Sequence, residues 1–245
     1  MTATPLGKGL DPPLDKRGQT IQTMFAGVAP RYDFLNRLLS LRLDTLWRRR
    51  ASVVADQAPA GRVLDLCCGT GDQSLGLARR GRRVAAADFC VPMLVLSQPK
   101  FAKQRRGPRP APLAADALAL PFPDAAFAAL TVSFGVRNVA DLDQALREMH
   151  RVLVPGGQAV ILEASLPTNA VVRPLYLFYF RHILPRLGRL FSPRGTAYQY
   201  FSDSVVDFPS REAFLARMTT AGFVEPHFDE LTAGTVCLYR ARRPR

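Results

Sequence analysis

The sequence predicts an α/β protein, a mostly parallel sheet with helices on both faces, and three observations carry that prediction. From Gly61 onward, short apolar runs (RVLDL, RVAAAD, PLAAD, FAALTVSF and QAVILEA) alternate with helical segments such as DQSLGLARRG and DLDQALREMHRVL. Alternation at this pace builds parallel strands joined by crossover helices. The first run ends in a glycine turn, VLDLCCGTGD at residues 63–72, where such sheets hold nucleotide-like ligands beyond the carboxyl ends of their strands. Near the end, FVEPHFDEL and TVCLYRA flank a short TAG turn, so the last two strands form a hairpin. Seven strands are expected, one of them antiparallel.

In chain order, residues 1–19 are rich in Pro, Gly and Lys and read as a disordered tail. Residues 20–60 form a helical cover. Ile21, Met24, Phe25 and Val28 have helical spacing, Pro30 breaks it, and Leu35, Leu38, Leu39, Leu43 and Leu46 continue as a second amphipathic stretch. The core spans 61–165. There RVLVPGGQAVILE reads as a helix stopped by Pro155, Gly156 and Gly157 before a buried strand. Residues 166–204 are a helical insertion, acid-free from 164 to 202, with five Arg between 173 and 194 among aromatic and aliphatic side chains. Such a segment suits a helix in a membrane interface, a cover over an apolar ligand, or ordinary packing on the sheet. Residues 205–245 supply the last helix and the hairpin.

Bulk properties narrow the partners. Net charge is +13, and 29 of the 33 basic residues are Arg. Such a surface favours anionic partners, although an Arg-rich coding bias that merely solvates the protein accounts for it equally well. The four cysteines, Cys67, Cys68, Cys90 and Cys237, form no CxxC pair and no metal-ligand spacing with the three histidines. The N-terminus has no signal-peptide core, and no apolar run approaches the ~20 residues of a membrane span. A reduced, cytoplasmic, non-spanning protein without a metal is expected.

The glycine turn alone does not name its ligand, since NAD-dependent dehydrogenases place glycines in the same position. Gly69 and Gly71 allow close approach of the backbone, and Thr70 offers an N–H and a hydroxyl. Cys67 and Cys68 sit where small side chains are required, so packing is their expected role. Asp88, closing the second strand, is placed to accept from ribose hydroxyls. Two details point away from a dinucleotide. Asp65 precedes the turn, and Asp72 follows it at a helix N-terminus, where a carboxylate would oppose a pyrophosphate. S-adenosylmethionine, cationic and phosphate-free, fits better, with Asp65 favouring its cationic end. Asp116, with the Ala117 N–H beside it, suits the adenine. Ser133 ends the fourth strand, facing cofactor and substrate. Asp116 and Asp124 also read as plain turn caps, and Ser133 as a strand end. Together the signals favour a Rossmann-like class I methyltransferase fold.

The stretches MFAGVAPRYDFLNRLLSLRLDTLWRRR, VLDLCCGTGD, ALPFPDAAF, SFGVRNV, EMHRVLVPGG, ILEASLP, HILPRLGRL and LTAGTV resemble the ubiquinone/menaquinone biosynthesis C-methyltransferases, from about Met24 to Tyr239. The resemblance implies methylation of a ring carbon of a polyprenylated quinol by S-adenosylmethionine. It implies Thr70, Asp88, Asp116 with Ala117, and Ser133 as cofactor positions. The chain departs from the family pattern where Arg42 and Asp44 replace a Gly and a His, where Leu35 and Arg37 replace a Met and an Asp, and where Asp116 replaces an Asn.

The chemistry asks for a group that holds a ring oxygen as it loses its proton. Arg137 and Asn138 are the candidates, with Tyr32 contacting the ring and a base acting through water. Against these stand an ion pair of Arg137 with Asp141 or Asp143, and a role for Tyr32 and Asp33 in ordering the cover. His150 is expected to be structural. The expected substrate is demethylmenaquinol, with 2-polyprenyl-6-methoxy-1,4-benzoquinol as the alternative and an RNA methyltransferase as a remote one. Attachment to the inner face of an anionic membrane, through Arg173, Arg181, Arg186 and Arg189, would bring the enzyme to its substrate. No nucleic-acid partner is expected, and the sequence permits a homo-oligomer.

Overall fold

The computed structural model describes residues 14–16, 18–183 and 196–245. Its centre is a seven-stranded sheet of β1 (Val63–Leu66), β2 (Val84–Asp88), β3 (Ala111–Ala114), β4 (Phe127–Ser133), β5 (Leu153–Ala164), β6 (Val224–Leu231) and β7 (Val236–Arg242). The strand order is β3-β2-β1-β4-β5-β7-β6. β7 runs antiparallel to both neighbours, and the other six strands run parallel to one another. The order reverses between β1 and β4, which opens a crevice at their carboxyl ends.

β1 and β4 are apolar throughout except for Asp65, Thr131 and Ser133, because helices bury both of their faces. Alternation along the strands divides the core. Leu64 and Leu66 join one cluster with Leu146 and Met149 of α6 (Leu142–Val152) and Phe214 and Met218 of α9 (Arg211–Thr220). Val63 joins the opposite cluster with Ala51, Val54 and Ala55 of α3 (Leu43–Ala55) and Leu77 of α4 (Asp72–Ala78). Asp141 caps α6 by accepting from the Gln144 N–H at 2.9 Å, and Ser210 caps α9 through the Ala213 N–H at 3.3 Å.

The cover consists of α1 (Gly18–Val28), a 3-10 turn (Ala29–Arg31), α2 (Tyr32–Leu39) and α3. Leu35 to Leu46 is thus not one helix. Leu41 and Arg42 adopt left-handed backbone, φ 51° and 64°, and turn the chain between α2 and α3. The tail expected over 1–19 ends earlier, since α1 starts at Gly18 and Lys16 pairs with Asp207 at 2.8 Å. Residues 1–13 lie outside the described part. α6 stops at Val152, before the expected Pro-Gly-Gly stop. Residues 155–157 instead lie within β5, where the pairing register with β4 shifts and Gly156 takes φ 76°. α5 (Val91–Ala102) follows β2. The insertion contains α7 (Val172–Phe178), a π-helical turn (Tyr179–Ile183) and α8 (Thr196–Asp207), which runs past the expected end at 204. Arg186, Arg189 and most of HILPRLGRL lie outside the described residues.

Phe214 is fully buried between Phe208 and the Tyr239 ring, with centroids 5.1 and 4.7 Å away. Phe214→Ala is expected to cost about 3–5 kcal/mol of unfolding free energy, measured by denaturant titration.

Candidate active site

Two cavities adjoin at the carboxyl ends of β1, β2 and β4. The first, about 150 Å³, is lined by Gly69, Asp88, Asp116, Ala117, Ser133 and Asn138, among others. The second, about 210 Å³, lies under the cover and insertion and is mainly apolar, with Leu35, Trp47, Tyr176, Phe201 and Val236 in its walls. Phe25, Tyr32 and Phe134 line both. The Phe25 and Tyr32 rings meet edge to face at 6.1 Å.

The polar cavity is shaped by a buried carboxylate. Asp65 is inaccessible to solvent and accepts from the hydroxyls of Ser74 on α4 at 2.5 Å and Thr131 on β4 at 2.8 Å. Beyond it the turn runs through three left-handed residues, Cys67 at φ 54°, Gly69 at 55° and Gly71 at 84°. A side chain on Gly71 would strike the ring of Phe101. Cys67 packs against Gly135, where no Cβ fits. Burial pushes the Cys67 and Cys68 thiols up, with neighbouring carboxylates adding to the shift, so neither is a thiolate nucleophile. No group of three or more potential metal ligands occurs among the described residues.

Asp88 fixes the far side of the turn. Its carboxylate accepts from the Gly69 N–H and the Cys90 N–H, both at 2.7 Å. Burial raises its pKa, and those two N–H groups oppose the rise. Asp116 accepts from the Leu118 N–H at 2.9 Å, so it is a turn cap and a cavity residue at once. Two buried polar atoms on this cavity's residues, Ser133 Oγ and Asn138 Oδ1, have no partner among the described residues. Buried polar groups are nearly always satisfied, so an unpaired acceptor and hydroxyl at a cavity mark where a polar ligand bonds.

A polar clamp joins cover and core. Thr70 Oγ1 donates to Asp33 at 2.5 Å, and Lys100 Nζ pairs with Asp33 at 2.5 Å and with Asp72 at 2.8 Å. Arg37 reaches Asp72 at 3.2 Å. Burial raises the Asp72 pKa, but the hydrogen bond and charge of Lys100 prevail and hold it below the ordinary value. The first turn of α4 therefore carries a carboxylate whose charge is met by Lys100 and Arg37.

Arg137, in the 3-10 turn Val136–Asn138 after β4, is 6% exposed and lines the apolar cavity. Its Nη1 pairs with Glu163 at 2.5 Å and donates to the Phe134 carbonyl at 2.7 Å. Its Nε donates to Ser204 Oγ at 3.2 Å, and the guanidinium lies 4.9 Å from the Phe201 ring centre. No acceptor engages Nη2 among the described residues.

A family model described as the ubiE/COQ5 methyltransferase family matches residues 14–243. The chain belongs to that family. It is 47% identical over 223 residues to a demethylmenaquinone methyltransferase of Thermus thermophilus, covering 90% of this chain and 100% of the relative. It is 43% identical over 233 residues to a Ubiquinone/menaquinone biosynthesis C-methyltransferase UbiE of Geobacter sulfurreducens, covering 94% and 91%. A solved SAM-dependent methyltransferase of Thermotoga maritima shares the fold at TM-score 0.64 and 18% identity, over 91% of this chain and 99% of that one.

In this ubiE/COQ5-family methyltransferase, the structure brings Gly69, Asp88, Asp116, Ala117 and Ser133 to one cavity. Asp65, Thr70 and Gly71 do not line it, and Asp65 is instead bonded to Ser74 and Thr131 behind the turn. Thr70 spends its hydroxyl on Asp33. Arg137 and Asn138, expected to act together, face different cavities. Arg137 pairs with Glu163, not with Asp141 or Asp143, and Asp143 instead binds Arg217 at 2.8 Å. Glu163, Lys100 and Arg37 escaped the sequence reading of the site. An acid inside the apolar run VILEA was the one legible signal for Glu163, since a buried strand carries a charge only opposite a partner.

Burial lifts the Asp65 pKa from its ordinary 3.8 to about 6, against the pull of the Ser74 and Thr131 hydroxyls. A carboxyl group raised on folding stabilises the protein fully below its ordinary value and loses that contribution as pH rises through about 6. Denaturation of wild type and Asp65→Asn across this range is expected to show wild type losing on the order of 3 kcal/mol relative to the variant.

Proposed function

We propose that the protein is an S-adenosylmethionine-dependent C-methyltransferase of respiratory quinone biosynthesis, converting demethylmenaquinol to menaquinol. The observation that carries this reading is the pair of cavities with a shared aromatic wall. One is the less apolar of the two and is bounded by a carboxylate at the end of β2, and the other is more apolar and large enough for a ring with the start of a prenyl tail. The names of the relatives, demethylmenaquinone methyltransferase and UbiE, support the same reaction class. The benzoquinol of ubiquinone biosynthesis is the second substrate that those names support.

The polar cavity fits the donor. Asp88 can accept from ribose hydroxyls, Asp116 and the Ala117 N–H can meet the adenine, and Ser133 and Asn138 have unpaired polar atoms for the remaining groups. Asp72, a carboxylate at the N-terminus of α4, suits a ligand without phosphate better than one with it. Bound there, the donor supplies an electrophilic methyl group on a sulfonium. The protein contributes alignment, on the order of 7–11 kcal/mol when reacting atoms are held in line. Tyr32, Phe25 and Phe134 form the boundary across which the two ligands meet, and they exclude water there. Arg137 lines the apolar cavity while Glu163 and the Phe134 carbonyl hold its Nη1 and Ser204 holds its Nε. A cation fixed in this way stabilises charge developing on a ring oxygen.

Labelled donor incubated with prenylated naphthoquinol and benzoquinol tests the reading. Label is expected in the naphthoquinol ring, and its absence from both quinols would overturn the assignment. Arg137→Lys keeps the charge opposite Glu163 but loses the planar fork. It is expected to lower kcat about 100-fold with donor affinity unchanged in calorimetry.

The same reading places the protein against a membrane. Val171, Leu175 and Phe178 form an exposed apolar stripe at helical spacing around α7, with Arg173 beside it. Phe34, Leu38 and Leu41 expose a second set along α2 and its end. No helix among the described residues is long and apolar enough to cross a membrane. Apolar side chains entering the headgroup layer, helped by basic residues, give such a surface its affinity. Sedimentation with vesicles rich in anionic lipid is expected to carry the protein down, less at high salt, and Leu175→Asp with Phe178→Asp is expected to abolish it.

A further inference from the structure

We infer that Asp44 is the general base of the reaction, taking the proton from the ring hydroxyl of the acceptor in the apolar cavity. The inference rests on the quinol reading above and names the group that this chemistry still lacks. Asp44 lies in the first turn of α3, is 5% exposed and lines the apolar cavity, not the polar one. Its Oδ1 accepts from the Ser40 hydroxyl at 2.9 Å. No donor reaches its Oδ2 among the described residues, and no cation pairs with it. A carboxyl group with one oxygen anchored and the other unengaged on a mainly apolar wall is placed to take a proton from a bound ring hydroxyl.

The other titratable and charged groups around this cavity do not serve. Arg48, on the same helix, and Arg137, after β4, are permanent cations. Burial raises the phenols of Tyr176 and Tyr179 on α7 and its π turn, and of Tyr200 on α8, so they stay protonated at neutral pH. Tyr32 of α2, the remaining titratable group, is a phenol too. Among the described lining residues, Asp44 is the one carboxylate. The cations have a complementary use. Arg48, held 5.3 Å above the Phe134 ring, and Arg137, paired with Glu163, make the cavity tolerant of the anion that deprotonation leaves.

The step balances. The O–H bond of the quinol breaks, its proton bonds to Asp44 Oδ2, and the electron pair stays on the ring oxygen. Conjugation raises the density at the adjacent carbon, which forms the new bond to methyl as the methyl–sulfur bond breaks with its pair going to sulfur. The ring carbon then releases its own hydrogen as a proton to water, and the ring regains aromaticity with its oxygen anionic. Asp44 returns its proton to that oxygen, so the quinol is restored and one proton leaves per methyl transferred.

Asp44→Asn keeps the Ser40 contact and the volume, so it isolates the lost basicity. With labelled donor and a prenylated naphthoquinol, kcat is expected to fall at least 100-fold. The residual rate should climb about tenfold per pH unit, as hydroxide replaces the missing base. Donor affinity by calorimetry and the thermal midpoint should match wild type, which a structural role would not predict. Asp44→His is expected to restore turnover, with a pH profile breaking near the ordinary imidazole value of about 6.5. Wild-type rate and pH profile in Asp44→Asn, or no recovery in a folded, donor-binding Asp44→His, would overturn the inference. Failure of the quinol reading is distinguishable, because wild type itself would then transfer no label.

Discussion

Asp65 has no solvent contact, and its two oxygens reach two elements that β1 must hold in place, Ser74 on α4 and Thr131 on β4. Taking a carboxylate out of water costs several kcal/mol, and neutral hydroxyls return only part of that. What they return in position is larger. With strand, neighbouring strand and following helix fixed at one point, the intervening turn must pass through left-handed residues, and glycine at 69 and 71 satisfies this without strain. The Gly69 N–H is thereby aimed at Asp88, and the polar cavity forms between them. The shape of this cavity thus depends on one buried acid as well as on the residues that line it.

Charge elsewhere follows the same logic of compensation. Of the 33 basic residues, several at the ligand edge are already engaged. Lys100 and Arg37 meet Asp33 and Asp72, and Arg137 meets Glu163. The site is oriented by fixed pairs, which on the proposed function suits a cationic donor beside an acceptor that turns anionic. The cover is part of that arrangement, because the clamp from α2 ends on the glycine turn itself through Thr70.

The sheet was legible because its strands are short, apolar and bounded by turn residues, and because Asp88 and Ser133 end strands whose tips could be counted. The hairpin was legible from TAG between two alternating runs. Less legible were features set by tertiary contact. The break at Leu41 and Arg42 carries neither Gly nor Pro, so periodicity ran straight through it. The Pro-Gly-Gly of β5 reads locally as a helix stop, but pairing with β4 absorbs it as a register shift. The resemblance supplied the family and the reaction, and it marked Asp44 only as a departure. That Arg137 belongs with Glu163 and apart from Asn138 depends on which way a 3-10 turn points, and adjacent residues in one chain give no hint of it.

The rings of Phe25, Tyr32 and Phe134 belong to both chambers at once. If the two chambers hold donor and acceptor as proposed, an exchange at these three positions reshapes both, and selection for a new acceptor there also disturbs the donor. Drift in acceptor preference must instead run through side chains seen by one chamber alone, such as Leu39, Ser40 or Val236. Relatives that share a donor yet differ in ring choice would be told apart at those outer positions, with the partition itself held constant.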